Sequence, residues 1–248
     1  MTAYSDLNGK TVLVTGGAAG IGAAMVRAFH QQGARVFFCD VDGTRGKRLA
    51  RDLGSNTFFA RVDLLVERQI VRWIKDIGKA SNRIDVLVNN AASDPRIPLH
   101  QTSAEDWDRL FARNLRAYFL TAREALAFMG AGSAIINFSS ITVHIAPSNM
   151  TAYVATKAGI QGFTRALARE IGPRRIRVNT LSPGWVMTER QLRDFVTPAV
   201  KRLIKKSQCI PDRIQPDDIA DVALFLASDA SRALTGQELL ADRGWAYS

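Results

Sequence analysis

Cysteine is scarce in this chain of 248 residues. Two thiols, Cys39 and Cys209, are too few for a disulfide framework. Long apolar runs are absent: none reaches the roughly 18 consecutive residues that a membrane-spanning helix needs. The first ten residues are polar and carry no apolar signal-peptide core. Repeats, low-complexity tracts and Pro/Gly/Ser linkers are also missing. Membrane, secreted disulfide-rich and fibrous readings are thereby set aside, and a reducing cytoplasm is the expected compartment. Lysine is sparse too. Of 33 basic residues, 25 are arginine, and the net charge is +10. The densest basic clusters, Arg174–Arg177 and Lys201–Lys206, carry no interleaved aromatics and no nucleic-acid motif. Scattered surface arginine, with no specific nucleic-acid or membrane partner and no metal site, is the reading.

What is present is alternation. Hydrophobic residues make up 47% of the chain and charged residues 23%, proportions of a globular protein. Strand-like runs are read at Thr11–Thr15, Arg35–Asp40, Thr57–Arg61, Ile84–Asn89, Ala134–Phe138, Arg177–Leu181 and Glu238–Ala241. Between them lie segments of helical period. In the first, Ile21, Ala24, Met25, Ala28 and Phe29 share a face. Further helices are expected at Thr44–Leu53, Glu67–Ile77, Ala104–Met129 with a break near Arg113, Thr151–Glu170 and Asp217–Ala227. Parallel strands need such crossovers. The expected fold is a single α/β domain, a Rossmann-like doubly wound parallel sheet of seven strands with helices on both faces. The one long irregular insertion, about residues 185–215, is expected to be a substrate loop or lid.

The sequence Thr15-Gly16-Gly17-Ala18-Ala19-Gly20-Ile21-Gly22 joins the first strand to the first helix. Glycine permits a tight turn and close backbone approach to a pyrophosphate, and the helix N-terminus offers free N–H groups. A glycine-rich turn alone is as often an ordinary connection. Placed between strand and helix, with Asp40 ending the second strand, it points to a dinucleotide. A carboxylate at Asp40 would bind the ribose hydroxyls and repel a 2′-phosphate. Val41 follows it, and positions 17–19 carry no cation, so NAD is the expected cofactor. Asp63 and Leu64, and Asn90 and Ala91, follow strands whose ends should border the adenosine.

Tyr153-Val-Ala-Thr-Lys157 opens the long helix, with phenol and ammonium one turn apart on one face. A phenol near pKa ~10 is a poor base at neutral pH, and a neighbouring cation favours the phenolate. Ser139 and Ser140 end the fifth strand, at the edge where such sheets bind ligands. Asn114 sits in a helix for which asparagine has little propensity.

Taken together, TGGAAGIG, NNAA, Asn114, Ser140, YVATK and SPGWVMT, in this order and spacing, resemble the short-chain dehydrogenase/reductase family, from about Gly9 to Trp245. The resemblance implies Tyr153 as general acid/base, Ser140 holding the substrate oxygen, and Lys157 binding the nicotinamide ribose while lowering the Tyr153 pKa. It implies Asn114 supporting a water relay, and Pro183, Gly184, Val186 and Thr188 beside the nicotinamide. It also implies a homotetramer built partly through the long helix, whose Ile160, Phe163, Ala166 and Leu167 lie beside the catalytic face. Two departures stand out: Ala92 where the family has glycine after Asn-Asn-Ala, and Asp242-Arg243-Gly244 where it has Asp-Gly-Gly. The loops are similar to those of bacterial NAD-dependent aldose 1-dehydrogenases of the family. Asp94, Arg96, Thr142, His144, Asn149 and Gln191 are the candidate sugar contacts. The alternatives are a 3-oxoacyl or small-ketone oxidoreductase of the same family, and a nucleotide-binding regulator, which should lack Tyr153, Lys157 or Ser140.

Overall fold

The computed structural model describes residues 2–247. Seven parallel strands form one sheet: β1 (Thr11–Thr15), β2 (Arg35–Asp40), β3 (Thr57–Arg61), β4 (Val86–Asn89), β5 (Ala134–Phe138), β6 (Arg177–Pro183) and β7 (Glu238–Ala241). Their order across the sheet is β3-β2-β1-β4-β5-β6-β7. The order reverses between β1 and β4, so the two chain crossovers diverge there and leave a crevice at the carboxyl edge. β1, β4 and β5 are buried throughout, as β-branched and aliphatic strands covered on both faces should be.

Helices cover both faces. On one, α1 (Gly20–Gln31) packs its Ala24, Met25, Ala28 and Phe29 face against the sheet, beside α2 (Gly43–Leu53) and, further along the chain, α10 (Pro216–Ala227). On the other lie α3 (Glu67–Ser81), α5 (Ala117–Ala125) and α7 (Thr151–Ile171). Among the described residues no helix is long and apolar enough to cross a membrane.

The expected strands are found with small changes of boundary. β4 begins two residues later than expected, and β6 runs on to Pro183 because Ser182 and Pro183 pair with Leu240 and Ala241 of β7. The expected helix Ala104–Met129 is divided. α4 (Ala104–Phe111) and α5 are joined by a π turn over Ala112–Arg116 that contains Asn114. A one-turn helix, α6 (Thr142–Ile145), follows β5.

The insertion after β6 is not irregular. It holds α8 (Glu189–Asp194) and α9 (Pro198–Ser207). Each begins at a threonine whose hydroxyl accepts from the third helical N–H: Thr188 from Gln191 and Thr197 from Val200, both at 3.3 Å. Pro198 at the first position of α9 is preset for a helix.

Arg243, standing where the family has glycine, adopts φ +58°. Its guanidinium lies 3.6 Å from Asp212 and 3.3 Å from Asp218, and its carbonyl accepts from Cys209 and Ile210. Those contacts hold a left-handed conformation that a side chain disfavours. On α7, Ile160 and Leu167 are buried within the subunit itself and Phe163 partly so, leaving Ala166 exposed. The face expected to await a partner is thus mostly covered from inside.

A polar chain crosses the interior beneath the carboxyl edge. Thr121 donates to Asn89 Oδ1 at 2.6 Å, Asn89 Nδ2 to Asn137 Oδ1 at 3.0 Å, and Asn137 Nδ2 to Thr164 Oγ1 at 3.0 Å. All four residues are buried. In Thr121→Val the Asn89 carbonyl loses its only donor among the described residues while the volume is kept. The expected loss is about 1–3 kcal/mol, read as a fall in Tm of roughly 2–12 °C. An unchanged Tm would mean that the chain carries no such weight.

Candidate active site

The glycine turn is held from two sides. Gly16 has φ +67°, and a Cβ there would come within 2.9 Å of Ala91 Cα. A Cβ on Gly22 would lie 1.9 Å from the Gly16 carbonyl oxygen. Only glycine fits the turn against helix and strand in this way. Thr15 Oγ1 accepts the N–H groups of Asn90 and Ala91 at 3.0 and 3.1 Å. Asn90 Nδ2 returns two bonds to the carbonyls of Thr15 and Gly16, at 3.0 and 3.2 Å. Asn90 therefore acts as a clamp on the turn; sequence reading placed it there but did not supply this reason.

From this turn opens a cleft of about 830 Å³ at the carboxyl edge. Gly16, Gly20, Ile21, Gly22, Asp40, Asp63, Leu64, Asn90 and Ala91 line one part of it. Pro183, Gly184, Val186, Thr188, Ser140, Tyr153 and Lys157 line the rest, together with Asp94, Arg96, Thr142 and Gln191. α1 begins at this cleft without a side-chain cap, whereas α2 and α4 are capped by Asp42 and Ser103. Free N–H groups at an uncapped helix start suit a phosphate. Asp40 accepts from the Ala18 and Asp42 N–H groups, both at 3.1 Å, which fixes its carboxylate toward the same space. The residues thus fit a dinucleotide.

Three cations of the cleft, Arg45, Arg113 and Arg190, escaped sequence reading. Arg45, on α2, reaches the cleft, 3.6 Å from Asp42 and 3.7 Å from Glu189. Two carboxylates thus face its charge.

Three of the sequence candidates do not line the cleft. Asn114 is buried in the π turn. Its Oδ1 accepts from the Ser93 N–H at 2.9 Å, and its Nδ2 donates to the Ser93 carbonyl at 2.9 Å and to Thr156 Oγ1 at 3.2 Å. His144 is turned to Glu238, at 3.0 Å. That carboxylate also takes Gln161 at 2.7 Å and Ser182 at 2.6 Å, so His144 ties α6 to the sheet. Asn149 is an exposed turn residue with φ +63°.

Tyr153 and Lys157 do face one another, with the Lys157 Nζ 5.7 Å from the phenol ring centroid. Lys157 is buried and donates to the Phe138 carbonyl at 2.7 Å. Burial pulls its pKa down to about 7, and the charge of Asp94 opposes the fall. Tyr153 keeps part of its surface open to the cleft, yet the protein crowded around its phenol pushes the pKa up, and Asp94 adds to the rise. Ser140 and Arg190 act the other way. Lys157 is not among the groups that act on the phenol, so the lowering expected from it is not found, and desolvation sets the direction.

The far wall is made by the insertion. Arg190 Nη1 lies 2.5 Å from Asp94 Oδ1, and Gln191 Nε2 donates to Asp94 Oδ2 at 3.1 Å. Arg96 lies over the rings of Phe195 at 3.9 Å and Trp185 at 5.1 Å, and Trp185 stacks on Trp245 at 6.4 Å. Arg190, Trp185 and Trp245 were missed in the sequence. Only SPGWVMT pointed to Trp185, and nothing local marked Arg190. At this seam Thr142 Oγ1, Trp185 Nε1 and Gln191 Oε1 are buried and bond to nothing among the described residues.

A family model described as enoyl-(acyl carrier protein) reductase matches residues 16–246. The chain belongs to the short-chain dehydrogenase/reductase family. It is similar to D-xylose 1-dehydrogenase of Caulobacter vibrioides, with 40% identity over 98% of each chain. It is 39% identical to a protein of Rhizobium meliloti named probable galactose dehydrogenase, over 97% of this chain and 96% of that one. It is 36% identical to 3-oxoacyl-[acyl-carrier-protein] reductase of Chlamydia pneumoniae, over 97% and 98%. This dehydrogenase is an oxidoreductase acting on CH–OH groups with a nicotinamide cofactor.

Lys157 offers a test of the burial argument. An amine whose folded pKa is about 7 bears its full desolvation cost below that pH. The cost is relieved as pH rises toward the unfolded value of about 10.4. Relative to Lys157→Met, the wild type should gain stability between pH 7 and 10. The Tm advantage of the variant should therefore be larger at pH 6 than at pH 9. An advantage that is the same at both pH values would contradict the lowered pKa.

Proposed function

We propose that this dehydrogenase oxidises an aldose at its anomeric carbon with NAD, giving the aldonolactone. The observation that carries the reading is the wall opposite the nucleotide cradle. It is built from Asp94, Arg190, Gln191 and Arg96, with Thr142 beside Ser140. A wall that sets charges and amides among aromatic faces suits a compact polyhydroxylated substrate, whereas a long acyl chain calls for one apolar throughout. The similarity to the two sugar dehydrogenases over nearly the whole chain supports the same reading.

In this reading Ser140 and Tyr153 hold the O1 oxygen, and Tyr153 takes its proton. A bound nicotinamide would supply the hydride acceptor. Lys157 holds the nicotinamide ribose. The glycine turn and the start of α1 hold the pyrophosphate, and Pro183, Gly184, Val186 and Thr188 border the nicotinamide. Asp63, Leu64 and Ala91 border the adenosine. Asn114 acts through Ser93, setting the segment that leads to Asp94. The insertion over residues 185–215 serves as the lid. NAD rather than NADP is our reading of Asp40, held toward the cleft by two backbone N–H groups, with the nearby cations engaged: Arg45 faces two acids, and Arg61 donates to the Val41 carbonyl at 3.2 Å. A 2′-phosphate would meet that carboxylate. We also assign a cytoplasmic location and a homotetrameric assembly.

The test is a substrate panel of free aldoses, aliphatic secondary alcohols and β-ketoacyl esters with both cofactors. Aldoses with NAD should give the highest kcat/KM, at least tenfold above NADP. Turnover confined to β-ketoacyl esters would overturn the substrate, and equal use of NADP would overturn the cofactor. Tyr153→Phe should bind NAD normally and lose turnover by about 10² to 10⁴-fold, the usual weight of general-base help. More than a tenth of wild-type kcat would remove Tyr153 from that role.

A further inference from the structure

Asp94 is a carboxylate on the wall of the cleft that holds Tyr153, and it is engaged by two residues of one helix. α8 brings Arg190 to one of its oxygens and Gln191 to the other, at 2.5 and 3.1 Å. No other element gives Asp94 an ion pair among the described residues, although its charge also acts on Lys157 of α7. With α8 seated, the negative charge is offset. Without α8 the carboxylate would have no ion-pair partner.

The groups around Tyr153 make that difference count. From its own helix it faces the Lys157 amine, which burial draws toward neutrality and Asp94 holds back from it, and from α5 the Tyr118 hydroxyl, which is itself buried and neutral. From β5 it faces the uncharged Ser140. From the segment after β4 comes Asp94, and from α8 comes Arg190. Arg96 is engaged with the faces of Phe195 and Trp185. The charges outside α7 that act on the phenol are therefore the two members of one ion pair, carried on two different elements.

We propose that the Asp94–Arg190 pair is a positioning device that couples the seating of α8 to the proton-accepting strength of Tyr153. With α8 seated, Arg190 offsets the carboxylate and the phenolate forms more readily. With α8 displaced, Asp94 opposes the phenolate. The base is thereby strongest when the cleft is closed around substrate, and weaker when water can enter. Both residues act through Tyr153 and touch no reacting atom in this account. The inference rests on Tyr153 as the proton acceptor, which Tyr153→Phe tests separately by loss of turnover.

The experiment is the pH profile of alcohol oxidation by the full-length enzyme with NAD. Asp94→Asn keeps the shape and removes the charge, so the acid limb of the profile should move to lower pH. Arg190→Ala leaves Asp94 unopposed, so the limb should move to higher pH. Each shift should be about 0.5–1 pH unit, the lower end expected for a neighbouring charge because Arg190 is half-exposed. Arg190→Lys should restore the wild-type midpoint, and the double variant should lie between the singles. Asp94→Asn and Arg190→Lys give the reading even where Arg190→Ala lowers overall activity. A purely structural clasp would raise KM or lower kcat in both single variants and leave the midpoint unmoved. That result, or two shifts of the same sign, would overturn the proposal.

Discussion

Asn90 and Asn114 pin the five residues that leave β4, and the arrangement of the cleft depends on that short strut. At one end Asn90 gives both amide hydrogens to the glycine turn, while its own N–H is taken by Thr15. At the other end Asn114 closes a two-bond ring on Ser93. Between them the backbone has little freedom, so Asp94 is delivered to a fixed place. α8 then closes on Asp94 through Arg190 and Gln191. The turn at one end of the cleft, the phenol in the middle and the insertion at the other end are joined through one stretch of chain. The π turn around Asn114 belongs to the same construction: an irregular helical turn is disfavoured locally and recurs at functional sites, and here it aims a buried amide at a loop.

Electrostatics inside the cleft follow from burial. Taking Lys157 from water costs more than one carbonyl bond returns, so its amine moves toward neutrality. The same desolvation works against the Tyr153 phenolate. Acid–base chemistry near pH 7 therefore needs charges placed with care, and Asp94 and Arg190 are the pair through which the wall can tip the balance. Other cations of the region are occupied elsewhere: Arg96 lies on aromatic faces, Arg113 reaches Ser93, and Arg45 faces Asp42 and Glu189.

The sheet was legible in the sequence because its central strands are apolar on both faces and its helices have clear period. The glycine turn, Asp40, Ser140, Tyr153 and Lys157 were legible because their chemistry requires fixed spacing. What escaped was non-local. His144 looked like a loop ligand, but Glu238, distant in sequence, draws it away. Arg45 and Arg190 reach the cleft only because α2 and α8 start where they do. The insertion looked irregular because α8 and α9 are short, although Thr188, Thr197 and Pro198 were already cap signals. The split at Asn114 was expected as a break, but periodicity alone does not tell a π turn from a bend.

Among the described residues, three polar atoms remain buried without partners at the seam: Thr142 Oγ1, Trp185 Nε1 and Gln191 Oε1. Unpaired buried groups of this kind oppose closure by roughly 1–3 kcal/mol each. A sugar that supplied hydroxyls as the seam adjusts would relieve that cost, and an acyl chain would not. The pairing of Gln191 Nε2 with Asp94 leaves its carbonyl as the free end, so the seam offers an acceptor as well as the Trp185 donor. In the proposed reaction the hydride comes from the anomeric carbon of such a sugar. The most direct measurement is turnover of an aldose carrying deuterium at C1, with the reduced cofactor analysed by NMR. The expected result is deuterium at C4 of the dihydronicotinamide and a lactone that has lost it. Unlabelled reduced cofactor, with deuterium kept in the sugar product, would contradict it.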